Sequence, residues 1–389
     1  TGLVVKDTGQ FFTGFGQAVI LGLIQIGGLG IMTFYVLITL FMDRKMSQGE
    51  TKEYQSSWST SSLKETLAII KSIVKFTLMF ELVGMGLLFL FWQSLFTNKL
   101  TALYYSMFHA VSAFCNAGFS LFPDSLMGFV SNTGVILTIS GLIIMGGIGF
   151  PVIFELNNYS FFRKSVLRLH VQTKFPILIT VVLIVVGTLF ILAGEYNAAL
   201  DGLLFGEKVL MSFFHSVSAR TAGFNALDLT TFSSATLLVI LLLMFIGASP
   251  GSTGGGIKTT TFGVLLYALW NTVQSRSKIE LYGRTITTVT VMKAMSIIML
   301  FLLVIMMAFY GLLLTEILDF FPVMFETVSA MGTVGYSLDT TRLLTDSGKW
   351  IVIALMFFGR VGPLTIAFAL ARKRSKPNYK YPEEQILLG

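Results

Sequence analysis

The sequence predicts an all-α polytopic membrane protein. Four pseudo-repeated units, each of outer helix, pore helix, filter and inner helix, are expected around one central pore. Three observations predict this. Of 389 residues, 54% are hydrophobic and only 12% charged, with a mean hydropathy of +0.78, whereas a soluble domain carries about twice that share of charge. Stretches without Asp, Glu, Lys or Arg cover residues 11–42, 125–154, 175–194, 229–257 and 294–315, and each meets the roughly 20-residue need of a bilayer core. Third, short glycine segments recur. Three follow a Ser-Ala pair, ending at Gly118, Gly223 and Gly335, and a fourth opens the chain as Thr1-Gly2-Leu3. The glycines stand 116, 105 and 112 residues apart, a spacing that suits a membrane hairpin with a re-entrant loop rather than a solenoid repeat. One loop presented four times is what a pore lined by backbone carbonyls requires.

Unit one, residues 1–66, starts at its filter and is read as incomplete at its N-terminus, followed by an inner helix and a cytoplasmic loop. In unit two, residues 67–172, a short uncharged stretch (82–97) is extended by a segment holding one charge. A turn with Pro123 follows Gly118, then a long span over 133–154 and a basic loop. Unit three, residues 173–284, has a span at 175–194 and a short amphipathic stretch at 207–219 leading to Gly223. Unit four covers 285–375, and 376–389 form a cytoplasmic tail. The stretch before each glycine is too short to cross the bilayer. It must stop midway and hand over to extended backbone, which lipid tolerates only inside protein or facing water.

A second repeat marks the inner helices: Gly27-Gly28-Leu29-Gly30, Gly146-Gly147-Ile148-Gly149 and Gly359-Arg360-Val361-Gly362. Small residues there allow close helix contact or a bend, and ordinary packing accounts for the first two. Unit three departs from the pattern. Gly247, Ala248, Ser249, Pro250, Gly251, Ser252, Thr253, Gly254, Gly255 and Gly256 lead to Lys258. A proline and five glycines cannot continue a helix, so the backbone is predicted to unwind directly below a filter, as a candidate gate.

Charge sets the orientation. Residues 160–174 and 372–380 are basic, as is the cluster Arg276, Lys278 and Arg284. Asp124, Glu195, Asp201, Glu207, Asp228, Glu316, Asp319, Asp339 and Asp346 lie in the opposite set of loops. Basic loops face the cytoplasm, which puts the glycine segments beside acidic outer loops that attract cations. The basic residues behind the net charge of +7 flank spans, so no nucleic acid is expected. The single cysteine, Cys115, rules out an internal disulfide framework.

Several residues invite other chemistry. Gly251, Gly256, Lys258 and Thr259 imitate a phosphate-binding loop, but with one residue too many before the lysine and apolar segments on both sides. His109, His215 and Glu326 share one place in three pore helices and are read as polar anchors rather than metal ligands. Glu81 is either a functional intramembrane carboxylate or interfacial. Arg220 is expected to point behind its filter and brace the loop against acids. Arg360, deep in an apolar helix, would cost on the order of 3 kcal/mol unpaired and is read as facing the pore and the unwound loop. No nucleophile–base pair or metal set recurs, so the chain is not expected to be an enzyme.

The four single-glycine filters, the glycine-rich break and Arg360 together resemble the Trk/Ktr/HKT superfamily of potassium transporters, nearest to the membrane subunits of bacterial Ktr systems. The resemblance covers almost the whole chain. It implies a selectivity filter formed by Thr1, Gly2, Asn116, Ala117, Gly118, Thr221, Ala222, Gly223, Thr333, Val334 and Gly335, with K⁺ at carbonyls near the four glycines. In plant relatives a serine at the first of these glycines accompanies sodium transport, so Gly2 argues for potassium. Residues 247–256 would be an intramembrane gating loop held by Arg360. K⁺ would be the transported ion and Na⁺ a candidate activator, with no organic cofactor on this chain. The family further implies a homodimer in the lipid bilayer of the bacterial plasma membrane, docked on a KtrA-like ring of RCK fold that binds ATP or ADP. The alternative is a secondary transporter coupling K⁺ uptake to Na⁺ or H⁺.

Overall fold

The computed structural model describes residues 1–30, 63–158, 169–276 and 279–362. The tail 376–389, residues 372–380, Arg163, Lys164, Arg168 and Lys278 lie outside them. The helices in chain order are α1 (Thr8–Phe11), α2 (Gly14–Leu29), α3 (Leu63–Trp92), α4 (Lys99–Phe114), α5 (Thr133–Gly147), α6 (Phe150–Asn158) and α7 (Val171–Glu195). There follow α8 (Phe205–Ser218), α9 (Ser234–Phe245), α10 (Thr259–Val273), α11 (Thr288–Thr315), α12 (Phe320–Gly332), α13 (Thr340–Leu343) and α14 (Asp346–Val361).

The helices differ in length and burial according to their place. Ile70–Trp92 of α3, α7 and α11 are long and apolar enough to cross a bilayer. Only 22% of the spanning windows of α7 and α11 is buried, leaving Val181, Val185, Leu189, Met299 and Met306 exposed for lipid. The shorter α4, α8 and α12 show the reverse. Their C-terminal halves, such as His109 to Phe114, are almost wholly buried. These short helices are therefore the core of the protein, and the long ones its jacket. The inner helix of one unit packs on the short helix of the next: α2 on α4, α5 on α8 and α9 on α12. Each of these short helices leads into a glycine segment.

The inner helices end sooner than their hydropathy suggests. The expected span over 133–154 is broken: α5 stops at Gly147, Gly149 takes φ 99°, and α6 leaves at 95°. Gly30 at φ 86° and Gly362 at φ 92° end α2 and α14 alike. The last glycine of the inner-helix repeat is thus a helix stop, because an L side chain resists that backbone. Close packing explains three of the other glycines, whereas Gly27 has open space around it. A Cβ on Gly28, Gly146 or Gly359 would come within 3.0 Å of Cys115, Phe114 O or Met331 O.

The all-α expectation needs one correction. Ile279–Leu281 and Arg284–Ile286 pair as an antiparallel hairpin, β1–β2. Its turn residues, Tyr282 and Gly283, both have positive φ, 50° and 71°, the backbone that a two-residue hairpin turn demands.

Two acids of the outer loops are helix clamps rather than surface charges. Glu195, fully buried at the end of α7, accepts from Ser233 N (2.9 Å) and Ser233 Oγ (2.7 Å). Ser233 is the N-cap of α9. Glu316, at the end of α11, accepts from Thr345 N (2.9 Å) and its hydroxyl, and Thr345 caps α14. Each carboxylate ties a lipid-facing helix to the start of an inner one. Glu316→Ala is expected to cost about 1.5–3 kcal/mol, read as a lower denaturation midpoint in detergent. An unchanged midpoint would discount the clamp.

Candidate functional site

The four glycine segments converge on one another. A Cβ placed on Gly2 would come within 3.0 Å of Ala117 O, on Gly118 of Ala222 O, on Gly223 of Val334 O, and on Gly335 of Thr1 O. The contacts close a ring in chain order, and each oxygen belongs to the residue just before a glycine. Gly2, Gly118, Gly223 and Gly335 have φ of 79°, 75°, 73° and 108°, where an L side chain is disfavoured by about 1–2 kcal/mol. Two residues earlier, Asn116, Thr221 and Thr333 also take positive φ (52°, 80° and 55°) without being glycine. Unfavourable backbone repeated at three equivalent positions is held there by its surroundings, as at functional sites.

The ring divides two cavities. On one side is a vestibule of about 380 Å³, bordered by all four glycines and, beyond them, by Leu3, Phe119, Asn225 and Ser337. Asp7, Asp124, Asp228 and Asp339 line it, one from each unit. The acids of the outer loops are therefore not one diffuse surface: Glu195 and Glu316 are buried clamps, while Asp7 joins the vestibule. On the other side is a chamber of about 330 Å³, lined by Thr1, Asn116 and Thr333 together with the apolar Ile20, Leu23 and Ile24 of α2, and bounded by Thr253 and Arg360.

The Ser-Ala pairs support the ring. Ser112 Oγ donates to Phe119 O (2.7 Å) and Ser218 Oγ to Phe224 O (2.8 Å), each the residue after a glycine. Ser329 Oγ instead accepts from Gly335 N (3.2 Å). Ala113, Ala219 and Ala330 have no exposure. One turn earlier, His109 Nε2 meets Ser120 Oγ (3.0 Å), and Glu326 accepts from Ser337 Oγ (2.7 Å) and from the Thr341 hydroxyl. His215 Nδ1 meets Tyr336 Oη (3.1 Å). No group of three His, Cys, Asp or Glu able to hold a metal occurs among the described residues.

Two charged residues sit where burial, not hydropathy, decides. Glu81 is buried, with Cys115 Sγ at 3.9 Å from its Oε1, so its carboxyl faces the protein interior. Arg220 does point behind its segment, but its partners are Thr180 O and Thr180 Oγ1 (both 3.4 Å) rather than the expected acids.

Below the ring, residues 246–258 interrupt the helix between α9 and α10. Their backbone groups pair with the break in α5–α6. Ser249 N donates to Gly147 O (2.9 Å), Thr253 N to Gly146 O (3.1 Å), and Phe150 N to Gly251 O (2.8 Å). Two chain breaks at one depth thus satisfy each other, as buried backbone at membrane depth requires. The loop also bonds to the floor of the ring: Gly255 N donates to Thr333 Oγ1 and Thr253 Oγ1 to Phe114 O, both at 3.0 Å. Side chains on Gly254 or Gly255 would collide with Thr221 or Thr333. Lys258 Nζ donates to Gly254 O (2.7 Å). Arg360 donates through Nη1 to Thr253 O and through Nη2 to Gly27 O and Gly28 O, the last at 3.3 Å. Gly27 and Gly28 lie in the last turn of α2, where free carbonyls and the helix dipole favour a cation. One guanidinium joins α14, the loop and α2.

A family model described as "TrkH: Cation transport protein" matches residues 2–381. The chain belongs to this family. Within the TrkH family it is 40% identical to Ktr system potassium uptake protein B of Vibrio alginolyticus, over 100% of this chain and 85% of that protein. It is 38% identical to the protein of the same name from Bacillus subtilis, over 100% and 86%. The crystal structure of the potassium transporter TrkH from Vibrio parahaemolyticus superposes with a TM-score of 0.70 at 20% identity, covering 92% of this chain and 73% of that one. At that identity the match concerns the fold. The chain is accordingly an integral membrane protein of a cation-transport family.

For this TrkH-family chain, sequence reading overlooked the hydroxyls and one of the acids. The three Ser-Ala pairs mark the repeat, but nothing in the sequence shows what their hydroxyls bond. Asp7 stands at nearly the same offset from Gly2 as Asp228 and Asp339 stand from Gly223 and Gly335, a signal within the sequence. The αL backbone at Asn116, Thr221 and Thr333 had none.

Proposed function

We propose that this chain is the potassium-conducting subunit of a bacterial plasma-membrane uptake system, passive, channel-like and driven by the membrane potential. The observation that carries the reading is the glycine ring between two cavities, with four carbonyl oxygens, those of Thr1, Ala117, Ala222 and Val334, lying against its glycines. The names of the relatives, potassium uptake proteins, supply the ion. Four units then surround one pore. Potassium sheds water in the acidic vestibule, and carbonyls near Gly2, Gly118, Gly223 and Gly335 replace it. The C-terminal ends of α4, α8 and α12, which terminate just before the ring, hold the cation in the chamber beneath. Residues 247–256, Lys258 and Arg360 form the gate, opened by a cytosolic RCK-type ring that binds ATP or ADP. A homodimer with one pore per subunit is part of the proposal.

The vestibule gives a prediction of its own. Replacing Asp7, Asp124, Asp228 and Asp339 together by Asn is expected to slow initial uptake about tenfold at low ionic strength. The difference should shrink in about 0.5 M salt as charges are screened. A deficit independent of salt would deny these carboxylates a steering role.

The reading is tested by ⁸⁶Rb⁺ uptake into KCl-loaded proteoliposomes of the full-length protein, alone and with its regulatory ring. Uptake competed by K⁺ more than by Na⁺, and collapsed by a potassium ionophore, supports it. Uptake that appears only with an imposed Na⁺ or H⁺ gradient would make the protein a coupled secondary transporter instead.

A further inference from the structure

We propose that Tyr336 is a specificity-determining residue, through a hydrogen-bonded strap His215–Tyr336–Phe224 that joins the third and fourth glycine segments. The inference rests on the conduction reading above. After the four ring glycines stand Leu3, Phe119, Phe224 and Tyr336, so a hydroxyl occurs at this position once. Tyr336 has no exposure. Its Oη–H donates to Phe224 O at 3.1 Å, and Phe224 directly follows Gly223. A carbonyl only accepts, so the single hydroxyl proton is committed there. His215 Nδ1, 3.1 Å from the same Oη, must then be the donor, and its Nε2 carries no proton and has no partner.

The strap runs from the short helix of unit three to the glycine segment of unit four and back to that of unit three. It thereby gives Phe224 O two hydroxyl donors, since Ser218 Oγ also bonds it at 2.8 Å. The equivalent Phe119 O receives Ser112 Oγ from its own unit. Units two and three are also joined: two residues before their glycines the Asn116 amide meets Thr221 Oγ1 (2.9 Å), and farther out Leu126 N donates to Asn225 O (2.8 Å) and Asn225 N to Ser125 Oγ (3.1 Å). Only the strap, among these links, acts on the residue adjoining the glycine.

The physical consequence concerns ion size. A ring of carbonyls favours the larger K⁺ as long as it resists closing on the smaller Na⁺, whether that resistance is read as cavity size or as the number of oxygens kept in place. Gly223 and Val334 O are in contact across the seam of units three and four, and glycine backbone is the most compliant there is. The strap holds Phe224, next to Gly223, and Tyr336, two residues after Val334. Removing it frees that seam to contract.

The test is Tyr336→Phe in the full-length protein, which keeps the ring and deletes the hydroxyl. In ⁸⁶Rb⁺ uptake, Na⁺ is expected to compete about fivefold better relative to K⁺ than in the wild type, the worth of roughly one net hydrogen bond. His215→Phe, which removes the other donor of the strap, should shift the ratio in the same direction. The double variant should add little to Tyr336→Phe. A residue that merely stabilised the fold would lower uptake and leave the K⁺/Na⁺ ratio alone. The same ratio is readable without transport, from the K⁺ and Na⁺ concentrations that half-maximally raise the melting temperature in detergent. An unchanged ratio in Tyr336→Phe by either measurement overturns the strap. If the wild type itself shows no K⁺ preference, the conduction reading fails first, so the two failures are distinguishable.

Discussion

Gly223→Ser is expected to lower the preference for K⁺ over Na⁺ by about tenfold, the effect of about 1.4 kcal/mol on relative ion affinity. Two causes act together. The backbone at φ 73° disfavours any L side chain, and the new Cβ would lie within 3.0 Å of Val334 O and against Gly335. The carbonyl before the fourth glycine must therefore move, and with it one member of the ring. Gly202 separates these causes. It has φ 78° and open space around its Cβ position, so Gly202→Ser meets the backbone penalty without the collision. It is expected to lose stability but keep its selectivity. Competition by K⁺ and Na⁺ in ⁸⁶Rb⁺ uptake checks both variants. Equal selectivity before and after Gly223→Ser would contradict the assignment of the ring as the ion filter.

Arg360→Ala is expected to raise uptake in the absence of the regulatory ring, by about tenfold if the guanidinium holds the loop with one strong charge-assisted contact. The side chain reaches the loop at Thr253 O and α2 at Gly27 O and Gly28 O. Its loss releases two elements at once. Arg360→Lys should fall between, because an ammonium cannot span both sets of carbonyls as a planar guanidinium does. Deleting residues 248–255 removes the obstruction itself and should raise uptake further. If the folded Arg360→Ala protein carried no more rubidium than the wild type, the loop would not be a gate held by this residue. Reconstituted protein monitored by size exclusion separates that result from misfolding.

Much of this was legible along the chain. Hydropathy and the glycine repeats showed a membrane protein with recurring re-entrant segments, and the proline and glycines of 247–256 announced an unwound backbone. The Gly–Arg–Val–Gly run placed a cation where lipid forbids an unpaired one. These features are local: each depends on which side chains a short stretch carries. The same local logic misled where a helix had a reason to stop that hydropathy does not register. Residues 133–154 are apolar throughout, yet Gly149 turns the chain, because the carbonyls that the turn frees at Gly146 and Gly147 find Thr253 N and Ser249 N.

By itself, then, the sequence determined the membrane environment, the repeats and the residues whose chemistry is out of place in lipid. The tertiary structure alone decided which groups meet: that four glycines separated by more than a hundred residues lie against one another's carbonyls, that Glu195 and Glu316 are clamps while Asp7 faces the vestibule, and that Arg220 ends on Thr180. Periodicity and composition report how a residue suits its own segment. A hydrogen bond such as Tyr336 to Phe224 joins positions 112 apart in the chain, and its existence depends on the packing of whole helices in between.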